Sequence, residues 1–214
     1  MRSVNDLRTQ TLRLPASDRR RQLVETALDF FSRKGYGGAT TKEIAAAAGV
    51  TEAIIFRHFP SKQDLYNAVL DHYHNTGSFS ECIAQWKSCM ERNDDEGLVR
   101  AIVEKIIESY RRDLRGHRVL LFAALEGHET GLEHNRQISF PIFELLCQYV
   151  ARRQSEGALR GVNPGAIVAA VAGMASHYAT MTQMFGFSVN SNDRQMADSF
   201  VDIVMHGIQA NHHT

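Results

Sequence analysis

The sequence lacks most features that mark membrane proteins and secreted disulfide-rich proteins. Its 214 residues contain no run of about 18 apolar residues, the length that a membrane-spanning helix requires. The first residues also lack the apolar core of a signal peptide. Three cysteines, with no CxxC pair, indicate reduced thiols rather than a disulfide framework. Together these absences predict a cytoplasmic protein that does not associate with a membrane.

Proline is scarce, and so are the alternating β-branched residues that are typical of strands. The chain has four prolines, and its apolar residues recur every three or four positions from Leu23 to Val204. This period is that of an amphipathic α-helix, whereas a half-buried strand alternates every second residue. The pattern predicts an all-α fold.

The chain carries no formal net charge, but its charges are unevenly distributed. Residues 1–62 hold 11 Lys and Arg against six Asp and Glu, a net charge of +5, and residues 63–214 therefore carry −5. A basic module on an acidic body suits a local polyanion-binding surface. An imbalance of this size also arises by chance, so it supports DNA binding only in combination with a motif.

Residues 45–59, AAAAGVTEAIIFRHF, have the pattern of two short helices joined by a tight turn. Small helix-forming residues stop at Gly49, and Thr51 is suited to cap the helix that follows. This arrangement predicts a helix-turn-helix, in which the second helix enters the major groove of DNA. Three apolar residues of that helix are expected to face the core: Ile55, Phe56 and Phe59.

The stretch TTKEIAAAAGVTEAIIFRHFPSKQDLYNAV, preceded by ALDFFSRKGYGGA, resembles the DNA-binding domain of the tetracycline-repressor (TetR) family of transcriptional regulators. The resemblance runs from about Arg19 to Leu70. It implies three N-terminal DNA-binding helices and a divergent helical C-terminal domain, which dimerises and usually binds a small effector. Phe56 replaces the tyrosine common in the family, so one possible phosphate hydrogen bond is lost. The resemblance rests on Phe30, Gly35, Thr40, Thr41, Ile44, Ala45, Ala48, Gly49, Val50, Phe59, Lys62, Leu65 and Ala68.

The predicted DNA contacts fall into two groups. Residues in the first exposed turn of the third helix are expected to meet base edges. The first turns of the second and fourth helices offer free N–H groups, hydroxyls and ammonium groups to phosphates, and later residues of the third helix would lie along the groove walls. The predicted DNA-binding residues are Thr41, Lys42, Thr51, Glu52, Ala53, Ile54, Arg57, His58 and Lys62.

The resemblance also implies an effector cavity among the middle helices. Aromatic and methionine side chains suit an adaptable apolar pocket for an apolar or aromatic effector, although ordinary core packing accounts for the same side chains. The last two helices, near residues 164–185 and 192–206, are expected to form the interface of a homodimer. The candidate pocket residues are Trp86, Phe122, His128, Phe143, Met174, His177, Tyr178 and Met181.

The predicted function is that of a homodimeric repressor, released from a palindromic double-stranded DNA operator by a small-molecule effector. Residues 1–17 would form a flexible arm, residues 18–61 the DNA-binding domain, and residues 62–214 the effector-binding and dimerisation domain. Ser17 is expected to cap the first helix. A ligand-independent DNA-binding regulator is one alternative.

A helical-bundle enzyme is the other alternative. The sequence contains no GxSxG, HExxH or CxxC motif. His72 and His74 fall on different helix faces, so together they cannot bind a metal from one helix. The sequence therefore predicts no catalytic residue, no metal site and no cofactor.

Overall fold

The computed structural model describes residues 15–75 and 79–208. Most of the predicted arm, residues 1–17, lies outside these ranges, as do His212 and His213. The described chain is helical, which confirms the predicted all-α fold. Its elements are α1 (Ala16–Gly38), α2 (Thr41–Ala47), α3 (Glu52–His58), α4 (Lys62–Asn75), α5 (Phe79–Glu91), α6 (Asp95–Arg112), α7 (Leu114–Glu126), α8 (Glu129–Ser155), α9 (Pro164–Gln183) and α10 (Asp193–Ile208).

The first four helices share one hydrophobic core. Apolar residues of α1, α2, α3 and α4 are buried against one another, because each helix carries them at intervals of three or four positions. The first half of α4 therefore belongs to this core as well as to the helix that leads into the rest of the chain. The largest residues of the core are Leu23, Leu28, Phe31, Ile44, Ile55, Phe59, Leu65, Tyr66, Val69 and Leu70.

A second core joins α5, α6, α8, α9 and α10. α6 lies at its centre and packs on α5, α9 and α10. The helix α7 does not follow this division, because Val119, which is 1% exposed, is buried in the first core. α7 packs along α1 and thereby joins the C-terminal part of the chain to the N-terminal helices.

Gly35 allows α7 to approach α1 closely. Its φ of 71° lies in the left-handed region, and the backbone of α1 is kinked there. An ideal Cβ at this position would lie 2.0 Å from Oε1 of Glu126 at the end of α7. Glycine is therefore required at this position both by backbone conformation and by space.

Two predicted helix starts were wrong. α1 begins at Ala16 with Pro15 in the capping position and no side-chain cap, so Ser17 does not cap it. For α8, the spacing of apolar residues predicts a start at His134, but the helix begins at Glu129, because the His128 side chain accepts a hydrogen bond from the Gly131 N–H and caps the helix earlier.

Pro141 lies within α8, where the sequence predicts a kink or a late start. Proline removes one backbone hydrogen bond and leaves the carbonyl of residue 137 without its helical donor. Residues 139–141 and Gln137 are exposed. The freed carbonyl can therefore be hydrated, and the helix continues through the proline.

A half-buried histidine, His74, lies at the end of α4, where that helix meets α8. The ring centroids of His74 and His134 are 5.5 Å apart, and among the described residues His74 Nε2 has no hydrogen-bond partner. Burial, reinforced by the neighbouring His134, lowers the pKa of His74 from 6.5 to about 4, against the opposing effect of Asp71. His74 is therefore neutral in the folded chain at pH 7.

We expect protonation of His74 to destabilise the protein in acid. The folded-state pKa lies below the unfolded value, so the unfolded chain binds the additional proton and stability falls as the pH drops from about 6.5 towards 4. Urea unfolding at pH 7 and at pH 5 should show that His74→Phe loses less free energy of unfolding between these two pH values than the wild type does. His206→Phe on the exposed side of α10 is the control, and an equal loss in His74→Phe would contradict this account.

Gly35→Ala should destabilise the fold more than a glycine substitution that introduces backbone strain alone. Gly157 has a φ of 75°, and an added Cβ would meet nothing within 4 Å, so Gly157→Ala isolates the strain. Positive-φ strain costs about 1 kcal/mol or more, and the clash with Glu126 should raise the loss in Gly35→Ala to at least about 2 kcal/mol. Denaturant unfolding measures the loss in free energy of unfolding for both variants, and equal losses would refute the proposed close contact between Gly35 and Glu126.

Candidate nucleic-acid interface

The helices α2 and α3 form a helix-turn-helix whose ends are defined by hydrogen bonds. At the start of α2, the Glu43 N–H donates to Thr40 Oγ1 over 3.2 Å, and the Thr40 N–H donates to Glu43 Oε2 over 3.1 Å. This reciprocal capping satisfies two N–H groups. Gly49 makes the turn with a φ of 67°, and α3 begins at Glu52.

Burial of one face of α3 turns the opposite face outward. Ile55 is fully buried and Phe59 is 1% exposed, as the sequence predicts. Phe56, however, is 44% exposed, so the expectation that it faces the core was wrong. It follows Ile55 by one position, about 100° around the helix, and falls outside the buried stripe.

The predicted DNA-contact residues retain exposure in the folded chain. They occupy the first turns of α2 and α4 and the outward side of α3. Thr51 precedes α3 in an extended conformation, but its side chain makes no capping hydrogen bond, contrary to expectation. Fully exposed are Lys42, Thr51, Ala53 and Arg57; half-buried are Thr41, Glu52, Ile54, His58 and Lys62.

Glu52 is not free in this structure. Its Oε1 accepts a hydrogen bond from the Thr41 hydroxyl, which joins the first turns of α2 and α3. A carboxylate in this position can accept a hydrogen bond from cytosine N4 while it shares its acceptor sites with the threonine, or after the threonine bond breaks. The pair therefore limits the freedom of the one predicted base reader that has a polar side chain.

Lys62 is held against an aromatic ring. Its Nζ lies 4.4 Å from the ring centroid of Tyr36, at the end of α1. Burial lowers the pKa of Lys62, while the negative charge of Glu126 acts in the opposite direction. The ammonium group is thus placed at the first turn of α4 by a cation–π contact, on a side chain that remains half-buried.

A second cation lies near α3 and is absent from the predicted set. The Arg20 guanidinium lies 4.7 Å from the ring centroid of Phe59, just after α3, and Arg20 is exposed. The run of arginines at positions 19–21 is the sequence signal for it. Without the fold, nothing in that run indicates that Arg20 reaches the end of α3.

A family model described as bacterial regulatory proteins, tetR family, matches residues 23–69. Residues 23–69 are therefore similar to the DNA-binding domain of the TetR family. One curated relative is the HTH-type transcriptional activator FasR of Mycolicibacterium smegmatis, 35% identical over 109 residues. Another is the HTH-type transcriptional regulator TtgR of Pseudomonas putida, 30% identical over 104 residues. These alignments cover 50% and 49% of the chain, and the chain spans 48% of the length of each relative.

Solved structures with the TetR-type fold extend the likeness to most of the chain. AibR, solved with isovaleryl coenzyme A and operator DNA, is 22% identical and has a TM-score of 0.63. The alignment covers 86% of this chain and 97% of AibR. A transcriptional regulator of Saccharomonospora viridis, solved with choline, is 19% identical with a TM-score of 0.66, and the alignment covers 91% of this chain and 100% of that one. At these identities the likeness concerns the fold alone.

The eight predicted pocket residues do not surround one cavity. Trp86 and Tyr178 are buried in the second core, and Met174 packs against that core. Tyr178 donates a hydrogen bond to Asp193 over 2.9 Å. These three side chains therefore serve core packing and the attachment of α10.

The other predicted pocket residues lie elsewhere. His128 caps α8, and its ring centroid lies 4.2 Å from that of Tyr36 and 4.8 Å from that of Tyr66. Phe143 and His177 are exposed, Met181 is half-buried, and Phe122 lines an open groove between α7 and the end of α9. Helical periodicity places side chains on faces, but it does not determine how the four helices that carry these residues are arranged around a space.

One enclosed apolar cavity lies elsewhere, between α6, α8 and α9. Its volume is about 50 Å³, room for one or two water molecules and well below the roughly 300 Å³ of a typical ligand site. Asp95 and Tyr149, which share a hydrogen bond, lie at one end. The apolar lining consists of Leu98, Val99, Ile102, Leu146, Val150, Leu159, Ile167, Val168, Val171 and Ala172.

Among residues 15–75 and 79–208, no group of three or more His, Cys, Asp or Glu is arranged to bind a metal ion. No helix in that part of the chain combines the length and apolar character needed to span a bilayer.

Proposed function

We propose that this chain is a homodimeric DNA-binding transcriptional regulator, a repressor that a small-molecule effector releases from a palindromic operator. The observation that carries the proposal is the exposed first turn of α3, presented by a helix-turn-helix within the stretch that matches the TetR-family model. A regulator of this kind acts in the cytoplasm, where bacterial DNA lies.

In this proposal α3 enters the major groove. Ala53 and Ile54 meet base edges, and Ile54 favours contact with thymine methyl groups. Glu52 already accepts a hydrogen bond from the Thr41 hydroxyl, so it reads cytosine only if its carboxylate also accepts from the base. Phosphate contacts come from the flanking positions Thr41, Lys42, Thr51, Arg57, His58 and Lys62, with Arg20 as an additional candidate.

The proposed dimer interface lies on α9 and α10. α9 exposes small residues at Ala169, Ala170 and Gly173, which permit close approach of another helix, and α10 exposes Ile203 to 59%. An isologous pairing of these faces gives the two-fold symmetry that a palindromic operator requires. Residues 18–61 then bind DNA, residues 62–214 carry the dimer and effector functions, and α4 is shared between the two cores.

The proposed effector is apolar or aromatic and acts on the C-terminal domain. Similar folds solved with isovaleryl coenzyme A or choline support a small-molecule effector as such, and the apolar side chains of the second core support its apolar character. Because the enclosed cavity is small, an effector must favour a state in which α6, α8 and α9 lie further apart. Release from DNA then follows if this state binds the operator less tightly. A ligand-independent regulator remains the second candidate, and the small cavity is the observation that favours it.

Selection of bound sequences from a random DNA pool tests the proposal directly. We expect the purified chain to select two inverted half-sites whose centres lie about one helical turn, 34–36 Å, or slightly more apart. Ile203→Glu should reduce the dimer in sedimentation and select single half-sites, whereas Val162→Glu, at an exposed position outside α9 and α10, should behave as the wild type. Failure to enrich any sequence would refute an operator-specific regulator.

Lys62→Ala should weaken binding to all DNA sequences to a similar extent. Loss of one phosphate contact lowers the slope of log affinity against log salt by about 1. The measurement is a titration of the selected DNA and of an unrelated duplex at several salt concentrations. Lys87→Ala, an exposed lysine of α5, is the matched control. An unchanged slope in Lys62→Ala would count against its phosphate contact.

A further inference from the structure

The helix α7 contacts α1 at three places along its length: Arg115 near its start, Val119 in its middle and Glu126 at its end. We propose that α7 is the coupling element of this protein, and that Glu126 and Arg115 are positioning residues linking the state of the C-terminal domain to the helix-turn-helix through α1. This inference rests on the proposed DNA-binding function and deepens it, because it assigns a route to regulation.

The Glu126 end of α7 binds backbone N–H groups of the N-terminal domain. Its Oε2 accepts from the Tyr36 N–H over 3.0 Å and from the Gly37 N–H over 3.3 Å. The left-handed Gly35 turns these consecutive N–H groups towards α7, and an added Cβ would occupy the position of the carboxylate. Consecutive N–H groups next to a left-handed residue form an anion-binding concavity. Here the anion is supplied by the other domain.

The same end of α7 is connected to a proposed DNA contact. Tyr36 donates its N–H to Glu126, while its ring lies under the Lys62 ammonium group at 4.4 Å. The negative charge of Glu126 acts on that ammonium group. A phosphate that draws Lys62 from the ring therefore changes the surroundings of Tyr36, and a displaced Glu126 changes the field at Lys62.

The Arg115 end of α7 forms an ion-pair network with α1 and α4. Its guanidinium donates to Asp29 and to Glu25, each over 3.2 Å, and is held within α7 by Asp113 at 2.7 Å. Glu25 also contacts Nε2 of His72 in α4 at 2.6 Å. Each exposed pair contributes little alone, but the network fixes where the start of α7 lies.

Because Arg115 and Glu126 contact α1 at two separate points, a movement of α7 affects the orientation of α1 as well as its position. Arg115 and Glu126 are separated by 11 helical positions, or about 16 Å along the axis. With Val119 buried between them, α7 cannot tilt relative to α1 without breaking one end. An effector that displaces α7 must therefore displace α1 or release an anchor, and DNA that holds α1 must in turn restrain α7, because coupling between sites is reciprocal.

Hydrogen exchange of the full chain tests this inference, with the duplex from the selection experiment as the probe. In the free protein, Glu126→Gln should speed exchange at the Tyr36 and Gly37 amides by about tenfold, the effect of losing a charged acceptor. In the wild type, DNA should slow exchange in α2–α3 and also across α7. In Glu126→Gln, slowing should persist in α2–α3 and be lost in α7.

Glu129→Gln, an exposed glutamate three positions further along, is the control and should match the wild type. Arg115→Gln releases the other anchor and should also reduce the slowing in α7. Unchanged exchange at Tyr36 and Gly37 in Glu126→Gln would overturn the inference, as would DNA that slows α2–α3 but not α7 in the wild type. If DNA slows exchange nowhere in the wild type, the proposed function falls, and this inference falls with it.

Discussion

The burial of Ile55 and Phe59 against the core formed by α1, α2 and α4 is the constraint on which the DNA-binding surface depends. A seven-residue helix is too short to be stable alone in water, so α3 is held by the face that it buries. That burial determines which residues lie outward, and it determines the angle at which the first turn of α3 is presented. Substitutions in the core thus affect DNA recognition without touching DNA.

The formal net charge of zero does not show how charged side chains are distributed around this surface. Cations near α3 and at the start of α4 rest on aromatic rings, as Lys62 does on Tyr36 and Arg20 on Phe59. Glu43, in contrast, is paired with Lys34 and with the Thr40 cap, which together lower its pKa from 4.5 to about 2. The Glu43 carboxylate therefore stabilises the start of α2. The surface thus keeps ordered cations, while the charge of Glu43 is compensated by Lys34.

Sequence patterns predicted those features that local chemistry determines. The turn at Gly49 and the buried Ile55 and Phe59 follow from residue type and helical spacing, and the structure contains each of them. The prediction that Phe56 faces the core was wrong. It rested on the aromatic character of this residue in an amphipathic helix, but the angular position of Phe56 lies outside the face that carries Ile55 and Phe59.

Features that depend on contacts between distant helices could not be predicted. The two ends of α7 meet α1 about 90 residues earlier in the chain, and neither Arg115 nor Glu126 has a local pattern that indicates this. The predicted effector-pocket residues do not surround one cavity for the same reason, since hydrophobic periodicity does not specify which helix faces enclose a space. The placement of Lys62 at a helix start could be predicted, because it depends on local sequence.

The central proposal is that α3 and the first turns of α2 and α4 form the DNA-binding surface of a transcriptional regulator. Amide chemical shifts of the full-length chain, followed during titration with the selected duplex, test this most directly. The account predicts the largest changes at residues 41–62, with smaller changes at Tyr36 and along α7. Largest changes on α9 and α10, with residues 51–54 unaffected, would contradict it.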